Sequence, residues 1–260
     1  MADVILQRVE AGVATVTLNR PELHNAFDDR MMAALTASFR ALADDRRVRV
    51  IVLAAAGRSF SAGADMHWMK RMAGYSYEEN LADAGLAADM FEAIAGAPQP
   101  VIARVQGAAF GGGVGLVAAC DLALAVERAS FCLSEVKLGI VPSMISPYLV
   151  ARMGAGPSRR YALTAERFDA TTARRLGLIA EIYPVEPAMD AAIADLTAQL
   201  KRNSPGALAA CKALWNAVAG DPRAHREETL RRIAEIRVSP EGQEGLAAFL
   251  TKRTPNWIED

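Results

Sequence analysis

Cysteine is scarce. The 260 residues hold three, Cys120, Cys132 and Cys211, with no CxxC spacing. This excludes a disulfide framework and a cysteine-built zinc site, and it predicts a reducing, cytoplasmic setting. Charge of one sign is also lacking. Twenty-nine Lys and Arg stand against 30 Asp and Glu, a formal net charge of −1. A chain made for nucleic acid normally carries a basic excess, so nucleic acid is not the expected partner. No stretch approaches the roughly 18 consecutive apolar residues of a spanning helix, so no membrane partner is expected. The longest apolar run, Gly107 to Cys120, is broken by five glycines. Residues 1–10 alternate like a strand and lack the basic region, apolar run and cleavage site of a secretory leader.

The usual catalytic signatures are missing as well. His24, His67 and His225 are far apart and show no HExxH spacing. There is no GxSxG elbow and no GK[ST], and a GxGxxG match fails because position 116 is Leu. Metal centres, nucleotide loops and a serine nucleophile are therefore not expected. Hydrophobic residues make up 52% and charged residues 23% of the chain, which suits a large packed core and excludes extensive disorder.

The pattern of elements is mixed, then helical. Ile5–Val9 and Val13–Leu18 read as strands joined at Ala11-Gly12. Val48–Leu53, Pro100–Val105 and Asp121–Val126 read as buried strands. Asp28–Ala43 reads as a helix capped by Asp28 or Asp29. Glu78–Ala95 reads as another, with Leu86, Met90 and Ile94 on one face. From about residue 143 the chain reads as all helix, over 170–176, 187–200, 205–218, 224–237 and 240–252. Pro187, Pro205 and Pro240 lie near helix starts, where a missing N–H costs little. An α/β core (1–195) followed by a helical region (196–260) is the expected division.

Two glycine-rich segments each follow a buried strand, Gly57–Asp65 and Gly107–Gly115. Their exposed N–H groups are either tight turns required by packing or, facing each other, a hole for one carbonyl oxygen. Glu135 lies in the otherwise apolar stretch Ser130–Gly139. It is either a partly desolvated proton-transfer carboxylate or a surface group beside Lys137.

In combination these pieces resemble the crotonase (enoyl-CoA hydratase/isomerase) superfamily. The matching segments are Leu18–Phe27, Phe60–Asp65, Gly107–Gly113, Ala119–Asp121, Phe131–Pro142 and Leu176–Leu178. The resemblance implies an α/β spiral of ββα units with a helical C-terminal trimerisation region. It implies an acyl-CoA thioester as substrate and partner, an enolate intermediate, and a homotrimer or homohexamer. No cofactor is implied, because coenzyme A is part of the substrate. Ala64 and Gly112 match the two oxyanion-hole N–H groups, and Glu135 matches the second glutamate of hydratases. Leu23 and His24 match the first CoA-binding turn. Ala62, Ala64, Asp65, Met66 and His67 match the wall along CoA, and Lys252 a basic residue reaching CoA phosphate.

One position departs from the pattern. The first hydratase glutamate would fall at position 115, which is Gly115. A single carboxylate suits a proton shuttle, as in Δ3,Δ2-enoyl-CoA isomerases. Against this, Gln106–Gly113, Phe131–Gly139, Ile145–Tyr148, Arg160–Phe168, Trp68 and Ile236–Gly245 look closest to bacterial methylglutaconyl-CoA and isohexenylglutaconyl-CoA hydratases. Gly115 would then leave room for a branched, acidic acyl group. The expected function is water addition to a branched 2-enoyl-CoA such as 3-methylglutaconyl-CoA. The alternatives are an isomerase and a catalytically silent acyl-CoA-binding protein.

Overall fold

The computed structural model describes residues 3–218 and 226–258. β1 (Ile5–Glu10) and β2 (Val13–Leu18) form an antiparallel hairpin. Its turn uses two left-handed residues, Ala11 and Gly12. β3 (Val50–Ala55), β4 (Val101–Val105), β6 (Leu122–Val126) and β9 (Glu181–Tyr183) extend it in the order β1-β2-β3-β4-β6-β9. Every added pair is parallel. β3 is buried along its whole length, as its apolar run requires with both faces covered. A small second sheet joins β5 (Ala109–Phe110), β7 (Ser130–Cys132) and β8 (Phe168–Asp169).

Helices cover the sheets. α1 (Asp29–Asp44) buries Met31, Met32, Leu35, Phe39 and Leu42, and the Asp28 carboxylate caps it through the Met31 N–H. α2 (Met66–Met72) and α3 (Tyr77–Gly96) follow. Ser76 and Glu79 form a reciprocal capping box at the start of α3. Met90 and Ile94 are buried there, but Leu86, expected on the same face, is exposed. α4 (Gly112–Ala119) carries no polar side chain and is buried from Gly113 to Ala119.

The expectation of helix alone beyond residue 143 is corrected. β8 and β9 lie in that region, and β9 completes the large sheet by pairing with β6. α5 (Ser146–Met153), α6 (Ala155–Thr164) and α7 (Ala170–Arg175) precede β9. The division at 195/196 falls inside α8 (Glu186–Lys201), which packs on β3, β4 and β6. α9 (Pro205–Ala217), α10 (Arg226–Val238) and α11 (Pro240–Thr251) close the chain. The expected start of α10 at residue 224 lies outside the described residues.

Polar anchors hold this helical end to the sheet. Lys212 Nζ donates to Asp121 at 2.7 Å. The Arg49 guanidinium donates to the Lys201, Asn203 and Trp257 carbonyls. Trp257 is half-buried, and its indole N–H donates to the Arg202 carbonyl. By contrast Phe249 is 81% and Leu250 76% exposed. Among the described residues no helix is long and apolar enough to cross a membrane, and no cluster of His, Cys, Asp and Glu could hold a metal.

Candidate active site

The two glycine segments are joined by their backbones. The Phe60 and Ser61 N–H groups donate to the Ala108 carbonyl, and Phe110 N–H donates to the Ser61 carbonyl at 2.9 Å. Gly63 is left-handed (φ 85°), and a Cβ there would meet the Phe110 oxygen at 2.7 Å and the Gly112 nitrogen at 3.4 Å. Only glycine satisfies both the dihedral and the approach. On the other side, Phe27 and Ala64 form a parallel bridge. Phe27 N–H donates to the Gly63 carbonyl, and Asp65 N–H donates to the Phe27 carbonyl. That pairing turns the Ala64 N–H away from the bridge. Gly112 opens α4, where the first N–H groups have no helical partner. Among the described residues neither the Ala64 nor the Gly112 N–H donates to a protein acceptor.

Both residues line a cavity of about 950 Å³, and Glu135 lines it with them. Glu135 starts a short 3₁₀ turn, Glu135–Leu138, whose backbone leaves through left-handed Gly139. Its carboxylate lies against the start of α4, with Oε1 only 3.3 Å from where a Cβ at left-handed Gly111 would stand. Oε2 is buried without a hydrogen-bond partner. Burial pushes the Glu135 carboxyl above the ordinary glutamate value, partly opposed by its own backbone N–H. Lys137, the neighbour in the surface reading, makes no ion pair with it within 4.0 Å. An orphaned buried oxygen and a pKa raised by burial suit a carboxylate that takes and returns a proton.

The rest of the cavity is mostly apolar. Met66, Met69, Met72 and Met144 contribute pliant thioethers, and Phe27, Trp68, Ala87, Phe91 and Ile145 supply rigid walls. Lys70, Asn80, Asp83 and Ser143 are its polar lining. Asp83 accepts from the Trp68 indole N–H at 3.0 Å. None of Phe27, Trp68, Lys70 or Asp83 was marked by spacing in the sequence as part of a site. Their contacts join residues up to 85 positions apart, and no local pattern announces them.

The other expected site residues take different places. Asp65 is 4% exposed and holds the loop together. It caps α2 through the His67 and Trp68 N–H groups and pairs with Arg20 at 2.8 Å. Burial alone would raise its pKa, but those three partners outweigh it and hold the carboxyl below 3.8. Asp65 therefore organises the site and has no oxygen turned into the cavity lining. Arg20 also reaches Asp28 at 3.2 Å and the Ala26 carbonyl.

Leu23 is exposed at the end of a 3₁₀ turn, and His24 follows in left-handed conformation. His24 Nδ1 lies 3.0 Å from Ser59 Oγ, and the Arg58 guanidinium approaches Nε2 at 3.3 Å. The Ala62 N–H donates to the His24 carbonyl, so this turn and the first glycine segment form one rim. Ala62 and His67 are exposed, and neither lines the cavity. Lys252 caps the end of α11 and is not brought to the cavity within one chain.

Gly115 requires a correction. The expected open volume is absent, because a Cβ there would stand 2.1 Å from Ile145 Cγ2 and 3.0 Å from Phe91 Cε1. The space is filled by neighbours, and Gly115 does not line the cavity.

Comparison with known proteins gives a consistent result. The family model for enoyl-CoA hydratase/isomerase matches residues 8–260. The 2,3-dehydroadipyl-CoA hydratase of Escherichia coli is 30% identical over 259 residues, covering 99% of each chain. The crystal structure of an enoyl-CoA hydratase from Shewanella pealeana superposes with a TM-score of 0.92 at 43% identity, covering 98% of this chain and 96% of that one. Pseudomonas aeruginosa AtuE superposes with a TM-score of 0.93 at 38% identity, covering 99% and 100%. The chain belongs to the enoyl-CoA hydratase/isomerase, or crotonase, family and is an enzyme of the enoyl-CoA hydratase type.

Proposed function

We propose that the protein adds water to a branched 2-enoyl-CoA carrying a distal carboxylate, such as 3-methylglutaconyl-CoA. The observation that carries this reading is one half-buried carboxylate, Glu135, facing two unpaired backbone N–H groups across a single cavity. The thioester oxygen accepts from the Ala64 and Gly112 N–H groups. Both gain strength as negative charge collects on that oxygen, and α4 adds the positive end of its dipole. Glu135 takes a proton from water as its oxygen attacks C3. The C2=C3 pair moves into the enolate, and Glu135 returns the proton to C2. H and OH are thereby added across the double bond with one carboxylate. Neither a metal nor an electron acceptor takes part, and coenzyme A arrives with the substrate.

Two observations support the distal carboxylate. Lys70 lines the cavity and makes no ion pair among the described residues, whereas its neighbour Arg71 is tied to Asp29 at 2.5 Å. An acidic acyl end would lie toward Lys70 and away from Asp83. The 2,3-dehydroadipyl-CoA hydratase is a relative whose named substrate is also a diacid thioester. A second reading, Δ3,Δ2-isomerisation, is favoured by the absence of a carboxylate at position 115. There Glu135 takes the proton from C2 and returns it to C4, through a dienolate whose oxygen accepts from the same two N–H groups.

The assembly read here is a trimer or a dimer of trimers in the cytoplasm. Leu246, Phe249 and Leu250 leave an apolar face on α11 that one chain does not cover. The deciding experiment compares initial rates on methylglutaconyl-CoA, crotonyl-CoA and a 3-enoyl-CoA. Preference for the first supports the proposal. Preference for the 3-enoyl thioester replaces it with the isomerase, and no turnover of any of them refutes both.

A further inference from the structure

Phe27 touches both donors of the proposed oxyanion pair, through two separate parts of itself. Its backbone forms the bridge to Ala64, with Phe27 N–H to the Gly63 carbonyl at 2.8 Å and Asp65 N–H to the Phe27 carbonyl at 3.0 Å. Its ring lies on Gly112. The three atoms nearest to a Cβ built at Gly112 are Phe27 Cζ, Cε1 and Cε2, at 2.3, 3.1 and 3.4 Å. The far side of the ring meets Trp68, with centroids 6.5 Å apart and planes inclined by 44°. Trp68 is fixed in turn by its bond to Asp83.

We infer that Phe27 is a positioning residue, a spacer that sets the separation and direction of the Ala64 and Gly112 N–H groups. The inference rests on the reading that these two groups hold the thioester oxygen. The donors belong to segments 48 positions apart; backbone bonds join those segments at Phe60–Ser61 and Ala108–Phe110, and Phe27 adds a contact at the two donor positions themselves. Backbone bonds place Ala64 relative to Phe27, and ring contact places the start of α4 relative to Phe27. A donor acts on a developing oxyanion only within a narrow range of distance and angle. Misplacement by about 1 Å can cost roughly a hundredfold in rate.

The test uses Phe27→Leu, Phe27→Met, Gly112→Ala and the double variant Phe27→Leu/Gly112→Ala. Steady-state kinetics are combined with the ultraviolet absorbance of bound acetoacetyl-CoA, whose enolate reports directly on the oxyanion donors. Phe27→Leu and Phe27→Met should lower kcat about 10- to 100-fold with KM within about threefold. The enolate absorbance should weaken in both. Gly112→Ala alone should lose activity to a similar degree, because its methyl meets the ring tip. In the double variant the methyl enters the space the ring tip has left. It should therefore recover about tenfold over Gly112→Ala.

A merely structural Phe27 would give multiplied losses in the double variant and an unmoved enolate signal, and either result overturns the inference. Two readouts separate this failure from that of the parent reading. If the wild-type protein shows no enolate signal, the two-donor reading falls and takes the spacer with it. If the wild-type signal is present and survives in both Phe27 variants, only the spacer falls.

Discussion

Gly115→Glu restores the carboxylate that two-glutamate hydratases carry, and it should not restore their chemistry. A Cβ at this position would stand 2.1 Å from Ile145 Cγ2, 2.9 Å from Ile145 Cβ and 3.0 Å from Phe91 Cε1. Carbon atoms pack best at about 3.5–4.0 Å, so Ile145 must retreat by more than about 1 Å. Ile145 is 3% exposed, and its carbonyl accepts the Leu149 N–H in the first turn of α5, so the retreat drags backbone with it. Overpacking of this kind costs about 1–3 kcal/mol, and the better helix propensity of a non-glycine residue returns at most about 1 kcal/mol. The glutamate then adds a charge among Ile145 and Phe91, at several kcal/mol more unless it is protonated. A net loss of about 3 kcal/mol corresponds to a fall of roughly 6–12 °C in Tm for a chain of this size. Thermal melting and the crotonyl-CoA rate are measured together. Gly115→Ala serves as the milder case, and Gly115→Ala/Ile145→Ala tests whether the two positions are coupled. A Gly115→Glu protein that melts like wild type and hydrates crotonyl-CoA faster would refute the argument from filled space.

Four further outcomes follow from the geometry. Glu135→Gln should lower kcat about 100- to 10,000-fold, or about 2.7–5.5 kcal/mol in the barrier, while thioester binding measured by calorimetry persists. The same variant should be more stable than wild type at neutral pH. Burial raises the folded carboxyl above the unfolded value, so its stability contribution is present below the ordinary 4.5 and lost as pH rises through the folded value. The stability gap should close in melts below pH 4.5, and a gap independent of pH would contradict the assignment. Asp65→Ala removes the Arg20 partner and the α2 cap, at about 3–5 kcal/mol. Because its folded pKa is depressed, its contribution is present above 3.8 and fades as pH falls below it, so denaturant titrations across that value should show the penalty shrinking. Finally, light scattering at micromolar concentration should give three or six times 27.8 kDa, and a monomeric mass would remove the proposed role of the α11 face.

Much of the core was legible because its signals are local. β2 begins and ends at Val13 and Leu18 as expected, since alternation and the Ala11-Gly12 turn both lie within eight residues. Asp28 caps α1 as its side chain suggests. The short strands β5, β7 and β8 were invisible, because two or three residues become a strand only when a distant partner arrives. α2 escaped notice because seven residues are too few for helical periodicity to stand out, although Met66, Met69 and Met72 recur at a spacing of three; its start is fixed by the buried Asp65. At the site, glycine spacing marked the two donor segments and an apolar surrounding marked Glu135. Gly115 was misread as room. The absence of a side chain says only that none is tolerated, and here Ile145, thirty positions later, occupies the place. Phe27 and Trp68 entered the sequence reading only as parts of the resemblance, because their roles lie in what they press against.

The two unpaired N–H groups have a consequence for inheritance. They belong to the main chain, so substitution by any residue other than proline moves them without removing them; proline alone carries no N–H. Around them, the wall formed by α2, α3 and the segment 138–145 is made of side chains, four of them methionines. Such a wall can be rewritten one residue at a time, and thioethers tolerate the intermediate shapes. Descendants of this chain can therefore drift toward longer, shorter or more polar acyl groups by small steps. Throughout that drift the proposed means of steadying an enolate is passed on intact wherever neither position becomes proline, because it is carried by the main chain.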